Sequence, residues 1–170
     1  MVVRFGFASA LLVACAALLL TAGSAPAGEG SVKVLSSIPF EDEDVASKKV
    51  RDGCKLQTKV PHFLGEYSDK VELVDGPLGK SGRVLELKIT AVHAPGGGAF
   101  SGAKSMTVEG VLREKGVEIG SFTATRFSGG GVFGGYKGTC AIIGRCAKVI
   151  GKDIAEWLEN PKKDSELGDA

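Results

Sequence analysis

Over Arg83 to His93, and again from Met106 to Phe127 beyond a glycine-rich break, apolar and polar residues alternate with a period of two, and these stretches direct the chain to folds built on an antiparallel sheet with one buried face. Leu85, Leu87, Ile89 and Ala91 fall on one side, while Glu86, Lys88 and Thr90 fall on the other. Met106, Val108 and Leu112 alternate with Thr107, Glu109 and Arg113. After Glu114-Lys115-Gly116 a partner strand runs from Val117 to Phe127, which makes a hairpin. Its inward phase changes from Val117 and Ile119 to Phe122 and Ala124, so a β-bulge is expected near Gly120-Ser121.

A sheet with one apolar face needs a cover. From Thr139 onward Ile143, Cys146, Ala147, Ile150, Ile154, Trp157 and Leu158 recur at spacings of three and four, and Asn160-Pro161 stops the helix. Leu56, Val60, Phe63, Leu64 and Tyr67 predict another helix over about Cys54 to Tyr67. Pro61 removes one backbone bond there at a cost of up to ~3 kcal/mol, so a kink or late start is expected. Upstream, Ser31 to Ser37 reads as a short strand closed by Pro39. Glu41, Asp42, Glu43 and Asp44 followed by Lys48, Lys49 and Arg51 have the charge order of a solvated helix, with Asp44 four residues before Lys48. No calcium loop follows them. The fold class is α+β: a two-layer domain with a mainly antiparallel sheet and two helices on one face. It is a single domain over 28–160, with 161–170 a disordered tail because little there can be buried.

The start of the chain has a different purpose. Met1 to Arg4 is basic, Phe5 to Ala27 is uncharged, and Ser24-Ala25-Pro26-Ala27 fits a cleavage site, so 1–27 reads as a secretory signal peptide. Cleavage leaves 143 residues. It also removes Arg4 from the 21 basic side chains, which balances the rest against 20 acidic ones. A domain this neutral lacks the basic surplus that nucleic acid demands. Leu12-Val13-Ala14-Cys15 has the form of a lipoprotein box, but the apolar Ala16 to Leu20 behind it belongs inside a signal core. The expected location is periplasmic or secreted, with an outer-membrane lipoprotein as the alternative. Membrane association follows only if Cys15 is lipidated or the signal stays uncleaved.

Export sets the reading of the sulfur atoms. Without Cys15, Cys54, Cys140 and Cys146 remain in an oxidising compartment. Residues six apart in one helix are about 9 Å apart along its axis, so Cys140 reaches Cys146 only if the helix begins after Cys140. A bridge from Cys54 to either of the other two ties the first helix to the last, and loop-closure entropy gives it ~4 to 5 kcal/mol against ~2 to 2.5 for the short ring. No C-x-x-C spacing suggests metal. A catalytic thiol needs a base, and His62 and His93 stand in no motif with one.

The most specific feature is an internal echo. Gly96, Gly97, Gly98, Phe100 and Lys104 return 33 residues later as Gly129, Gly130, Gly131, Phe133 and Lys137. Strand reversals place both copies at the same end of the sheet, beside His93 and Arg126. Glycine runs free the backbone for sharp turns, and the two Phe offer either lids on the core or exposed anchors. The second copy feeds into the last helix, whose first amides with Lys104 and Lys137 could hold an anion. Neither copy is a Walker or dinucleotide loop, and no cofactor is expected.

The segments GGGVFGGYKGTCAIIGRCAKVIGKDIAEWL, RVLELKITAVHAPGGG and VRDGCKL resemble a group of exported bacterial envelope proteins with no assigned activity. In plan the chain is also similar to the α+β domains of the TolB amino-terminal region and the curli-secretion lipoprotein. The resemblance implies envelope life without catalysis. The sequence therefore leads to a non-enzymatic exported protein that binds a protein or envelope component through the paired Gly/Phe loops. A small-ligand or anion-binding module at the last helix start is the alternative, and a thiol enzyme built on the unpaired cysteine the third reading.

Overall fold

The computed structural model describes residues 30–95, 103–129 and 138–169. The segment 1–27 expected to be a signal, with Cys15, lies outside the described residues, as do Gly96, Gly97, Gly98, Phe100, Gly130, Gly131, Phe133 and Lys137. The elements in chain order are β1 (Val32–Leu35), α1 (Lys48–Cys54), α2 (Leu56–Tyr67), β2 (Val71–Val74), β3 (Arg83–His93), β4 (Lys104–Glu114), β5 (Val117–Ser128), α3 (Thr139–Trp157) and β6 (Ser165–Gly168). The strands form a six-stranded sheet in the order β2-β1-β3-β4-β5-β6.

The α+β class holds, but the antiparallel character is confined to β3, β4 and β5. β1 pairs in parallel with both β2 and β3, and β5 pairs in parallel with β6. Helices account for the β1–β2 and β5–β6 pairings, while residues 75–82 carry the chain from β2 across to β3 without one. α1 and α2 lie between β1 and β2, and α3 lies between β5 and β6, so each carries the chain back to the end where the preceding strand began. The helix expected over the charged stretch is present as α1, but it starts only at Lys48. The acidic run before it is a turn, with Asp42 Oδ1 accepting the Asp44 and Val45 amides at 2.8 and 3.0 Å. The i,i+4 ion pair of α1 is Lys48 with Asp52 rather than Asp44 with Lys48.

The central hairpin follows its sequence closely. Lys115 and Gly116 both take positive φ, 49° and 83°, the two-residue turn whose twist matches that of paired strands. The register of β4 against β5 slips between Leu112 and Arg113, where Ile119 is the extra residue, one position before the expected phase change. A second slip between Ile89 and Ala91 turns Ala91 outward and Val92 inward, and nothing in the alternation announces it. Leu85, Ile89, Met106, Val108, Leu112 and Ala124 are fully buried beneath the helices.

The apolar stripe of α3 is buried throughout, from Ile143 to Leu158. α2 lies alongside with the same polarity: Cys54 is bonded to Cys140, and Phe63 and Leu64 face Gly151. A Cβ at Gly151 would stand 2.8 Å from Phe63 Cβ and 2.9 Å from the Leu64 amide, so two helix backbones meet where only glycine fits. Pro61 is accommodated inside α2. The Gln57 carbonyl that it leaves without an intrahelical donor accepts the Ile38 amide at 3.1 Å, which ties the connection after β1 to the helix.

The C-terminal segment departs from expectation. Instead of a disordered tail, Ser165–Gly168 form β6 on the edge of β5. It is held by polar groups: Trp157 Nε1 donates to Ser165 Oγ at 3.1 Å, the Ser121 amide to Lys162 O at 3.1 Å and the Asp169 amide to Thr125 O at 2.9 Å.

Candidate functional site

The register brings the two glycine-rich segments to a common base. His93 pairs with Ser105, and Lys104 pairs with Ser128, so Pro95, Ala103 and Gly129 leave three adjacent strands at one end of the sheet. The same end receives the start of α3, because Gly138 is its N-cap and Cys140 bonds to Cys54. Gly129 is exposed there.

Lys104, expected to face a ligand, is fully buried. The inward face of β4 carries even-numbered residues, and Lys104 continues the row of Met106, Val108 and Leu112. Its Nζ donates to the Pro95 carbonyl at 2.8 Å, across the opening of the 96–102 segment. A buried ammonium bonded to a carbonyl fixes that opening rather than presenting charge to solvent.

Of the three cysteines among the described residues, Cys54 and Cys140 form a disulfide with a Cα–Cα distance of 4.8 Å across 86 residues. This is the long-range tie from the first helical region to the last. Cys146 is a buried free thiol whose Sγ lies 3.8 Å from Lys104 O. Burial pushes its pKa up to about 11, which leaves it protonated and a poor nucleophile.

Beside the disulfide is a pocket of about 280 Å³, lined among others by Ser47, Lys49, Ala94, Thr139 and both bonded cysteines. Gly138 gives α3 no side-chain cap. The first amides of a helix have no acceptor within it, so these N–H groups and Lys49 place positive charge beside the pocket. Ser47 and Lys49 were not singled out from the sequence, because their role depends on where α1 begins.

Arg126 and His93 flank the same end. The Arg126 guanidinium makes a two-pronged pair with Asp153 of α3, 2.7 and 2.8 Å, and reaches Asp169 at 2.9 Å. These hydrogen bonds, Asp153 foremost, raise its pKa further. The amide of Phe127 and then Arg126 hold the Asp169 carboxyl below its ordinary range. Arg126 is thus engaged in stapling β6 and α3 to the sheet.

The sheet face away from the helices divides into two halves. Near the hairpin it carries cross-strand ion pairs, Lys88 with Glu41 and Glu109 and Arg113 with Glu86, each exposed and individually worth little. Toward the glycine-rich segments Ala91, His93, Ser105, Thr107, Thr125 and Phe127 follow, and Phe127 is 57% exposed. Among the described residues no group of three or more His, Cys, Asp or Glu is placed to hold a metal, and no helix is long and apolar enough to cross a membrane.

No family model matches the chain, and no curated protein matches it. Solved structures do. One uncharacterised protein is 14% identical, with a TM-score of 0.55 over 75% of this chain and 92% of its own. A Xanthomonas campestris protein of the DUF330 family is 13% identical, with a TM-score of 0.44 over 75% of this chain and 82% of its own. The first likeness is one of fold.

Proposed function

We propose that this chain is an exported, non-enzymatic domain that binds a protein or envelope partner at the sheet end from which its two Gly/Phe segments leave. The observation that carries the reading is the register: His93 against Ser105 and Lys104 against Ser128 set both segments on neighbouring strands. On the half of the outer face next to them, Ala91, Ser105, Thr107, Thr125 and Phe127 carry no carboxylate or ammonium, and Phe127 is an exposed aromatic, which suits partner contact. A disulfide between Cys54 and Cys140 supports life in an oxidising compartment.

Photo-crosslinking residues at Phe100 and Phe133, expressed in the exporting cell, are expected to give discrete adducts, while the same residue at Lys115 on the opposite end gives none. Exported protein without adducts at either Phe position rejects the reading. The small-ligand reading draws on the pocket with Lys49 and Thr139. A melting shift with anionic metabolites that is lost in Lys49→Met would favour it over a macromolecular partner.

A further inference from the structure

The disulfide does more than join two distant residues, because of what surrounds it. Both sulfurs belong to residues that line the pocket with Lys49 and Thr139, but Cys54, the last residue of α1, is 1% exposed, whereas Cys140 is half-buried. Thiol–disulfide exchange requires an incoming thiolate to reach a sulfur; the pocket opens onto the bond, and the more exposed of its two residues is Cys140. Cys140 is also the second residue of a nineteen-residue helix, where amides and dipole stabilise a thiolate once the bond is open. The remaining sulfur on α3, Cys146, faces the core and cannot take part. Finally, the pocket wall includes Ala94, just before the first Gly/Phe segment, and Gly138, just after the second.

We propose that the Cys54–Cys140 bond is an exchangeable clasp, opened by a dithiol that enters this pocket, and that opening it loosens the base on which the two Gly/Phe segments stand. A thiolate of the dithiol attacks Cys140 Sγ. The Cys54–Cys140 bond breaks, a mixed disulfide forms at Cys140, and Cys54 leaves as a thiolate that takes a proton. The dithiol's second sulfur, having lost its proton, attacks its partner sulfur in the mixed disulfide and releases Cys140. Cys140 leaves as a thiolate and takes the second proton, so the dithiol ends as a disulfide and two electrons and two protons have passed to the protein. α1, seven residues long, is then no longer bonded to the first turn of α3, while the sheet and the α2–α3 contact at Gly151 remain.

The consequence for partner contact rests on the function proposed above, so the test separates the two. Native full-length exported protein is treated with dithiothreitol without denaturant, alkylated and mapped by mass spectrometry, with hydrogen exchange on the same samples. The expected result is alkylation of Cys54 and Cys140 but not Cys146, about tenfold faster than global unfolding. Faster exchange should be confined to α1, the first turn of α3 and the residues beside Ala94. A bond that yields only when the domain unfolds, with all three thiols reacting together, overturns the clasp. So does a Cys54→Ser/Cys140→Ser variant whose sheet loses its protection. Crosslinks at Phe100 and Phe133 should weaken on reduction. Adducts unchanged by reduction overturn the coupling, whereas adducts absent in both states reject the partner-binding reading and leave the alkylation pattern to judge the clasp.

Discussion

The centre of the sheet and its C-terminal edge are held by different physics. β3, β4 and β5 turn Leu85, Ile89, Met106, Val108 and Leu112 onto the helices and are secured by burial. β6 has one inward side chain of any size, Leu167, which is only partly buried, and is secured by Arg126, Asp169, Ser121 and Trp157. Burial is diffuse and is lost all at once. Polar staples act locally and can be opened singly, so the edge should come free while the centre stands.

Four perturbations test that contrast. Leu112→Ala, deep in the central strand, should cost ~2 to 5 kcal/mol and lower the denaturant midpoint of the whole domain. A loss below ~1 kcal/mol would deny that the centre is the cooperative unit. Arg126→Ala leaves the Asp153 carboxylate, whose side chain is 11% exposed, without its guanidinium, and should cost about 2 to 3 kcal/mol. Its effect spans both regimes: α3 and β6 should both exchange faster.

Asp169→Asn comes next, and it should speed amide exchange in β6 while β4 keeps its protection. The same latch responds to acid. Asp169 sits below its ordinary value of 3.8 in the folded protein, so its contribution is complete above that value and drains away as pH falls through the lower folded one. The protection of β6 amides, corrected for the intrinsic pH dependence of exchange, should therefore be constant above about pH 5 and fall at lower pH before the core unfolds. Simultaneous loss of both would erase the distinction. The smallest effect belongs to Lys88→Met on the outer face: despite two carboxylate partners it should change stability by less than about 0.5 kcal/mol.

The same division governs how far the sequence could be read. β3, the hairpin and α3 were legible because burial writes a period into the residues it covers. β2 and β6, four residues each, take their stability from neighbouring strands and carry no period of their own. α1 was displaced toward its acidic prelude because Asp42 spends its side chain on a turn. At the site, the long-range tie to Cys54 was readable, but the choice between Cys140 and Cys146 depended on helical phase. α3 turns Cys146 onto β4 and leaves Cys140 facing α1. Lys104 had a usable signal: its even number put it in line with Met106 and Val108, and only the habit of placing lysine at the surface argued otherwise.

Val32 lies level with Arg83, at the opposite extremity of β3 from His93, and eleven residues of strand span ~35 Å. Whatever is attached upstream of β1 therefore enters at the far pole from the two Gly/Phe segments. A leash on one pole and a guest on the other would not compete for room, and the domain would act as a spacer that holds them a sheet's length apart.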